Sequence, residues 1–179
     1  LGMQYVGPLS YNSLRFALGA IGLLPLVYLR FNRSLAERYL RNGLLLGFWL
    51  FIGAVFQQVG LLYTSAGKAG FITGLYLVFI PLLARIFSGT PVALNHGLSV
   101  LLALFGLFLL SVTAGWQVAG GDIIIFGCAI SFAIHIIYVE RITQSEGEKL
   151  DPWVLAFVQY VICTAFSLSS VEMVARALR

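Results

Sequence analysis

The chain is 179 residues long, 60% hydrophobic and only 10% charged, with a formal net charge of +4. A soluble domain carries about 25% charged residues, so this chain has too little polar surface to be one, and the same balance excludes disorder. Its two cysteines, Cys128 and Cys163, lie in apolar runs and exclude a disulfide-built secreted module, while eleven dispersed Lys and Arg residues are too sparse for a nucleic-acid surface.

A bilayer core takes about 20 mostly apolar residues per helix. Six runs fit, near 8–29, 43–63, 69–88, 96–113, 121–140 and 152–171. They are continuously apolar and do not alternate, which predicts an all-α, polytopic membrane helix bundle and argues against a barrel. The first run opens on Pro8, suited to a first helical turn, and is interrupted by Arg15, whose stem can snorkel to the interface. The connection after it carries Arg30, Arg33, Arg38 and Arg41, which read as topology determinants able to touch anionic lipid. With Arg85 in the third connection and Arg141 and Lys149 in the fifth, one side holds seven of the eleven basic residues. The positive-inside bias therefore puts 30–42, 85–95 and 141–151 in the cytoplasm. Leu1 then starts outside, so a further span is expected upstream.

The second span carries Gly43 and Gly47 at small-xxx-small spacing, and the third carries Gly70 and Gly74. Small residues let helix backbones approach closely, either as fixed packing or as a seam that slides. Gly53, Gln57, Gly60 and Thr64 share one helical face. There Gln57 can bind a polar solute or bridge to another helix, while Gln58, some 100° away, reads as structural. Lys68 stands in a turn of small residues, as a vestibule cation for anionic solutes or as an interface anchor. Thr73 and Tyr76 lie three apart on the third span. Pro81 removes a helix donor inside that span, giving a static kink or a hinge.

Asp122 opens the fifth span, where its charge suits the helix dipole. Cys128, Ser131, His135 and Tyr138 then form a polar stripe at steps of three, four and three. His135 is the strongly titratable group deep in a span, and an intramembrane ionisable group marks a pathway unless it only ties helices together. Glu140, Arg141, Glu146, Glu148, Lys149 and Asp151 read as a solvated loop. On the sixth span Gln159, Cys163, Ser167 and Ser170 again share a face. Four helices thus each present one polar face, as expected of a central cavity or of polar packing.

Pro8 and Pro152 each open a span, with Arg15 and Gln159 seven residues on, an offset of 144. That period covers five spans, so successive copies would enter the membrane in opposite directions, as in inverted-repeat transporters.

The run from Gln57 to Leu82, with Tyr63-Thr64-Ser65-Ala66-Gly67-Lys68-Ala69-Gly70-Phe71-Ile72-Thr73-Gly74 inside it, resembles the EamA family of the drug/metabolite transporter superfamily. So do Gly7-Pro8-Leu9-Ser10-Tyr11-Asn12-Ser13-Leu14-Arg15-Phe16 and Gly120-Gly121-Asp122 before an apolar helix. The resemblance implies ten helices in two inverted five-helix repeats. It places this chain at helices two to seven, with most of the first repeat in 1–115 and the start of the second in 120–179. It also implies movement, often export, of small metabolites or drug-like solutes, amino acids or their derivatives among them, by alternating access. The protein is then expected in a plasma membrane of the bacterial inner-membrane type. Its expected partners are the lipid bilayer and a small-molecule solute, with homodimerisation left open and nucleic acid excluded.

A zinc-protease H-E-x-x-H, a G-x-S-x-G elbow and a phosphate-binding G-x-x-x-x-G-K-[ST] are absent from the sequence. His96 and His135 fall in different spans. No catalytic residue, cofactor or metal is therefore expected. An intramembrane enzyme and a non-transporting scaffold or sensor are the competing functions.

Overall fold

The computed structural model describes residues 6–88, 94–111, 119–144 and 149–177, and over these the chain is all helical. Helix α1 spans Pro8–Arg30 and α2 spans Ala36–Gly60, with a 3-10 turn at Arg33–Leu35 between them. Helices α3 (Ala66–Gly74), α4 (Tyr76–Ser88), α5 (Leu94–Ser111), α6 (Gly120–Gln144) and α7 (Pro152–Ala177) follow. Among the described residues, five stretches are long and apolar enough to cross a membrane: Pro8–Arg30, Arg33–Gly60, Ala66–Ile86, Gly120–Gln144 and Pro152–Val171. Residues 89–93 of the third connection, the 112–115 end of the expected first repeat, and Glu146 and Glu148 lie outside the described residues.

Several boundaries differ from expectation; α6 runs on to Gln144, so Glu140 and Arg141 are helical and not part of a loop. Helix α2 begins at Ala36, so Arg38 and Arg41 are helical and not part of a connection. Arg, Glu and Leu are good helix formers, and that carries the helix past the apolar run. At its other end α2 stops at Gly60, so Thr64 belongs to the turn beyond and not to the helical face given it. The third span is two helices, interrupted at Leu75, whose N–H closes a tight bond to the Ile72 carbonyl at 3.1 Å. Gly74, a poor helix former, supplies the weak point, while α4 runs on through Pro81.

Helix α1 starts on Gly7, with φ +71°, a backbone region that favours glycine. Pro8 follows at the first helical position, where its missing N–H costs nothing.

The chain forms two compact units, Leu1–Val55 with Tyr138–Arg179, and Phe56–Ile137. In the first, α1 packs along α7, with Phe16 against Tyr160 at 5.5 Å between ring centres. Gly43 and Gly47 lie against α7 as well. A methyl at Gly43 would come within 2.4 Å of Val158 Cγ1, and one at Gly47 within 2.8 Å of Ile162 Cγ2. Both glycines therefore act in close packing. Leu35, Tyr39, Leu46, Leu150, Val154 and Leu155 form the buried cluster beside them.

Asp151, read from sequence as part of a solvated loop, is instead a junction. It caps α7, accepting from the Trp153 N–H at 2.9 Å, ahead of Pro152 at the first helical position. Its other carboxylate oxygen accepts from Arg30 at 3.2 Å, and its own N–H donates to the buried Tyr39 hydroxyl at 2.9 Å. These bonds bring the first and fifth connections together. In the second unit, α3 packs on α5 through Phe71 and Phe108, and Phe79 meets Phe126 edge-on.

Large apolar side chains stay uncovered, among them Leu29, Leu102 and Ile123, each more than 70% exposed. Water would penalise such a surface heavily, and hydrocarbon would not. Buried positions instead include Asn12, Ser13, Gln58, Asp122, Ser131, Gln159 and Ser167. Polar side chains turned inward and apolar ones outward are what a bilayer solvent selects.

Candidate functional site

The most polar buried constellation lies in the second unit, around Asp122. Its position follows from close glycine packing: Gly60 ends α2 and Gly121 opens α6. A methyl at Gly121 would sit 2.6 Å from the Gly60 carbonyl oxygen and 2.8 Å from the Tyr63 carbonyl carbon. That approach brings the turn after α2 over the first turn of α6. Asp122 Oδ2 accepts from Lys68 Nζ at 2.6 Å and from the Ala119 N–H at 2.9 Å, and Oδ1 accepts from the Thr64 hydroxyl. The Ala119 bond is the reach-back arm of a capping box. Lys68 is fixed from behind, because Ser65 caps α3 by accepting from the Lys68 N–H at 3.3 Å. The Lys68 and Asp122 side chains are only 17% and 10% exposed. A cavity of about 270 Å³ opens beside Asp122, lined otherwise by the apolar Ile72, Leu75, Ile123 and Phe126.

The protein family whose model matches this chain is described as the EamA-like transporter family, and the match runs over residues 1–112. The chain belongs to that family. It is also similar to an uncharacterized transporter of Archaeoglobus fulgidus, 26% identical over 168 residues, which cover 94% of this chain and 51% of the relative. The chain thus spans about half the length of the curated relative it matches. No solved structure matches.

Within this EamA-family chain, Lys68 and Asp122 turn out to be partners, although sequence spacing gives them separate roles as vestibule cation and dipole acid. The expected pathway residues divide between the units: Gln57, Thr73, Tyr76, Ser131 and His135 belong to the second, Tyr138 and Gln159 to the first. Ser131 and Gln159 are buried, and the other five are partly buried. Thr73 Oγ1 is buried without a hydrogen-bond partner. Ser131, His135 and Gln159 each engage a neighbour.

Of the adjacent glutamines, Gln58 is the buried one and Gln57 is partly covered. Gln159, Cys163 and Ser167 form a buried face of α7, whereas the Ser170 hydroxyl turns back onto its own helix, donating to the Phe166 carbonyl at 2.8 Å. Cys128 and Cys163 are free thiols, both fully buried.

The second glycine pair behaves differently from the first. Gly74 is buried, but Gly70 is exposed and faces open space, so the spacing alone does not make Gly70 a packing site. Asn12, not singled out from sequence, is fully buried with both amide atoms lacking a partner. A lone amide four residues into an apolar helix was the available signal. Among the described residues, no three His, Cys, Asp or Glu side chains gather as metal ligands would.

Proposed function

We propose that the whole protein is a secondary carrier, not an enzyme, which moves small metabolites or drug-like solutes by alternating access between inverted repeats in a plasma membrane. Membership of the EamA-like family carries this reading. The inward-turned polar side chains of the described helices support it, because hydrophilic groups in hydrocarbon are retained where a bundle interior or a solute path uses them.

Amino acids or their derivatives are the favoured solute class. Asp122 stands at the edge of an apolar cavity with Lys68 as its ion-pair partner, and a zwitterion with an apolar side chain would complement the pair and the cavity. Gln57, Thr73, Tyr76, Ser131, His135, Tyr138 and Gln159 are the proposed path-lining set. Gly74 and Pro81 are the proposed moving elements, and a homodimer is compatible with the reading.

The test is flux of amino acids and their decarboxylated amines in vesicles holding the full-length protein, with and without a proton gradient. Saturable flux of the zwitterion above that of protein-free vesicles is expected, and His135→Ala should slow it. Correctly inserted protein with no flux of any solute would overturn the carrier reading. Equal flux of amino acid and amine would overturn the zwitterion. Unchanged kinetics in His135→Ala would remove that residue from the path.

A further inference from the structure

A further cavity, of about 350 Å³, lies in the first unit. It is lined by Arg38, Arg41, Asn42 and Leu45 of α2 and by Tyr138, Arg141 and Ile142 of α6. Positions 38, 41/42 and 45 fall on one face of α2, and 138 and 141/142 on one face of α6. The two helices meet here through the start of α2 and the end of α6, so the lining is graded. Three arginines line it nearer the helix ends, and Leu45 and Tyr138 stand one helical turn further along. Asn42 spends its amide nitrogen on the Arg38 carbonyl at 2.9 Å, which leaves the arginines as the charged donors of the cleft.

One of these cations is badly placed for its own helix. Arg38 stands in the first turn of α2, at the positive end of its dipole, where an anion is favoured and a cation is not. The acidic neighbours in sequence, Glu37 and Glu140, are exposed and do not line the cavity. Asp151 is committed to Arg30 and to the cap of α7. Arg38 and Arg141 hold further contacts in the structure. Each guanidinium carries five N–H donors in a planar fork, the geometry that suits a phosphate.

We propose that this cleft binds the head group of an anionic phospholipid, its phosphate between Arg38, Arg41 and Arg141 and the start of an acyl chain along Leu45 and Tyr138. A free phosphate would account for the three cations. It would leave unexplained their position above an apolar floor on helices that cross a membrane. The site lies apart from the Asp122 cluster in sequence and composition, and it does not depend on the transport reading.

The experiment measures retention of phosphatidylglycerol, against phosphatidylcholine, by the full-length protein purified in detergent and weighed intact by native mass spectrometry. Wild type should retain phosphatidylglycerol selectively. Arg41→Gln and Arg141→Gln should each weaken retention about fivefold, the loss expected for one basic residue at an anionic surface. Arg33→Gln, in the same basic stretch but outside the cleft, should leave it unchanged. Arg41→Lys and Arg141→Lys keep the charge and should keep part of the retention. Retention undiminished from wild type in Arg41→Gln and Arg141→Gln would overturn the site, as would a fivefold loss in Arg33→Gln. Competition by glycerol phosphate at concentrations matching the lipid would overturn the lipid as occupant.

Discussion

Two acidic side chains sit at the starts of two helices, and they are used in opposite ways. Asp151 caps α7 and pairs with Arg30 across a surface where the two side chains are 22% and 50% exposed. Asp122, three residues into α6, pairs with Lys68 at 10% and 17% exposure and also holds Thr64 and Ala119. The hydrogen-bonding inventory is similar, and the solvent is not. An exposed pair gains little over its hydrated parts, typically 0–1 kcal/mol. A buried pair gains little by existing and loses much by being halved, because the remaining charge has no solvent. The first cluster is therefore a joint that fixes a helix entry. The second is a committed pair whose two halves depend on each other.

The sharpest way to break that comparison is Asp122→Asn. The amide keeps one acceptor oxygen for the two donors Thr64 and Ala119, and Lys68 loses its countercharge. Thermal unfolding in detergent should show a loss of about 3–5 kcal/mol, with the double variant Lys68→Met, Asp122→Leu recovering most of it. A loss below 1 kcal/mol would make the two pairs equivalent. Next comes Gly121→Ala, which inserts a methyl against the backbone of Gly60 and Tyr63. Backbone cannot give way as a side chain can, and a loss of about 1–3 kcal/mol is expected. In the first unit, Asp151→Ala removes the α7 cap and should cost about 0.5–2 kcal/mol. Arg30→Gln should cost no more than about 1 kcal/mol. The smallest change is Gly70→Ala, two residues beyond Lys68 on α3. Its methyl meets nothing within 4 Å, so a gain of about 0.5–1 kcal/mol is expected from helix propensity.

The helices were legible because hydrophobic runs long enough to span a bilayer have few other uses. Their ends were less so. Arg38 and Arg41 look like a connection by charge, yet their intrinsic propensity is helical, and only the packing of Tyr39 and Leu46 shows that the helix has begun. The interruption at Leu75 leaves little compositional trace, since Gly67 and Gly70 stand within the same helix without breaking it.

Polar faces could be read from period, but their partners could not. Lys68 and Asp122 are 54 residues apart, and nothing in either local sequence names the other. Adjacent glutamines differ by one helical step of 100°, and which one is covered depends on neighbours that sequence alone does not supply. Glycine spacing likewise marks candidate seams without saying which has a helix against it. Gly43 and Gly47 face Val158 and Ile162, whereas Gly70 faces open space.

The depth of Cys128 and Cys163 has a practical corollary. Both thiols are sealed from the surface, so a water-borne maleimide should find nothing to label in this segment. A single reporter cysteine introduced on an accessible position such as Gly70 would then be read against a dark background. Its labelling from either side of the membrane, in the presence or absence of solute, would report how that face changes during turnover.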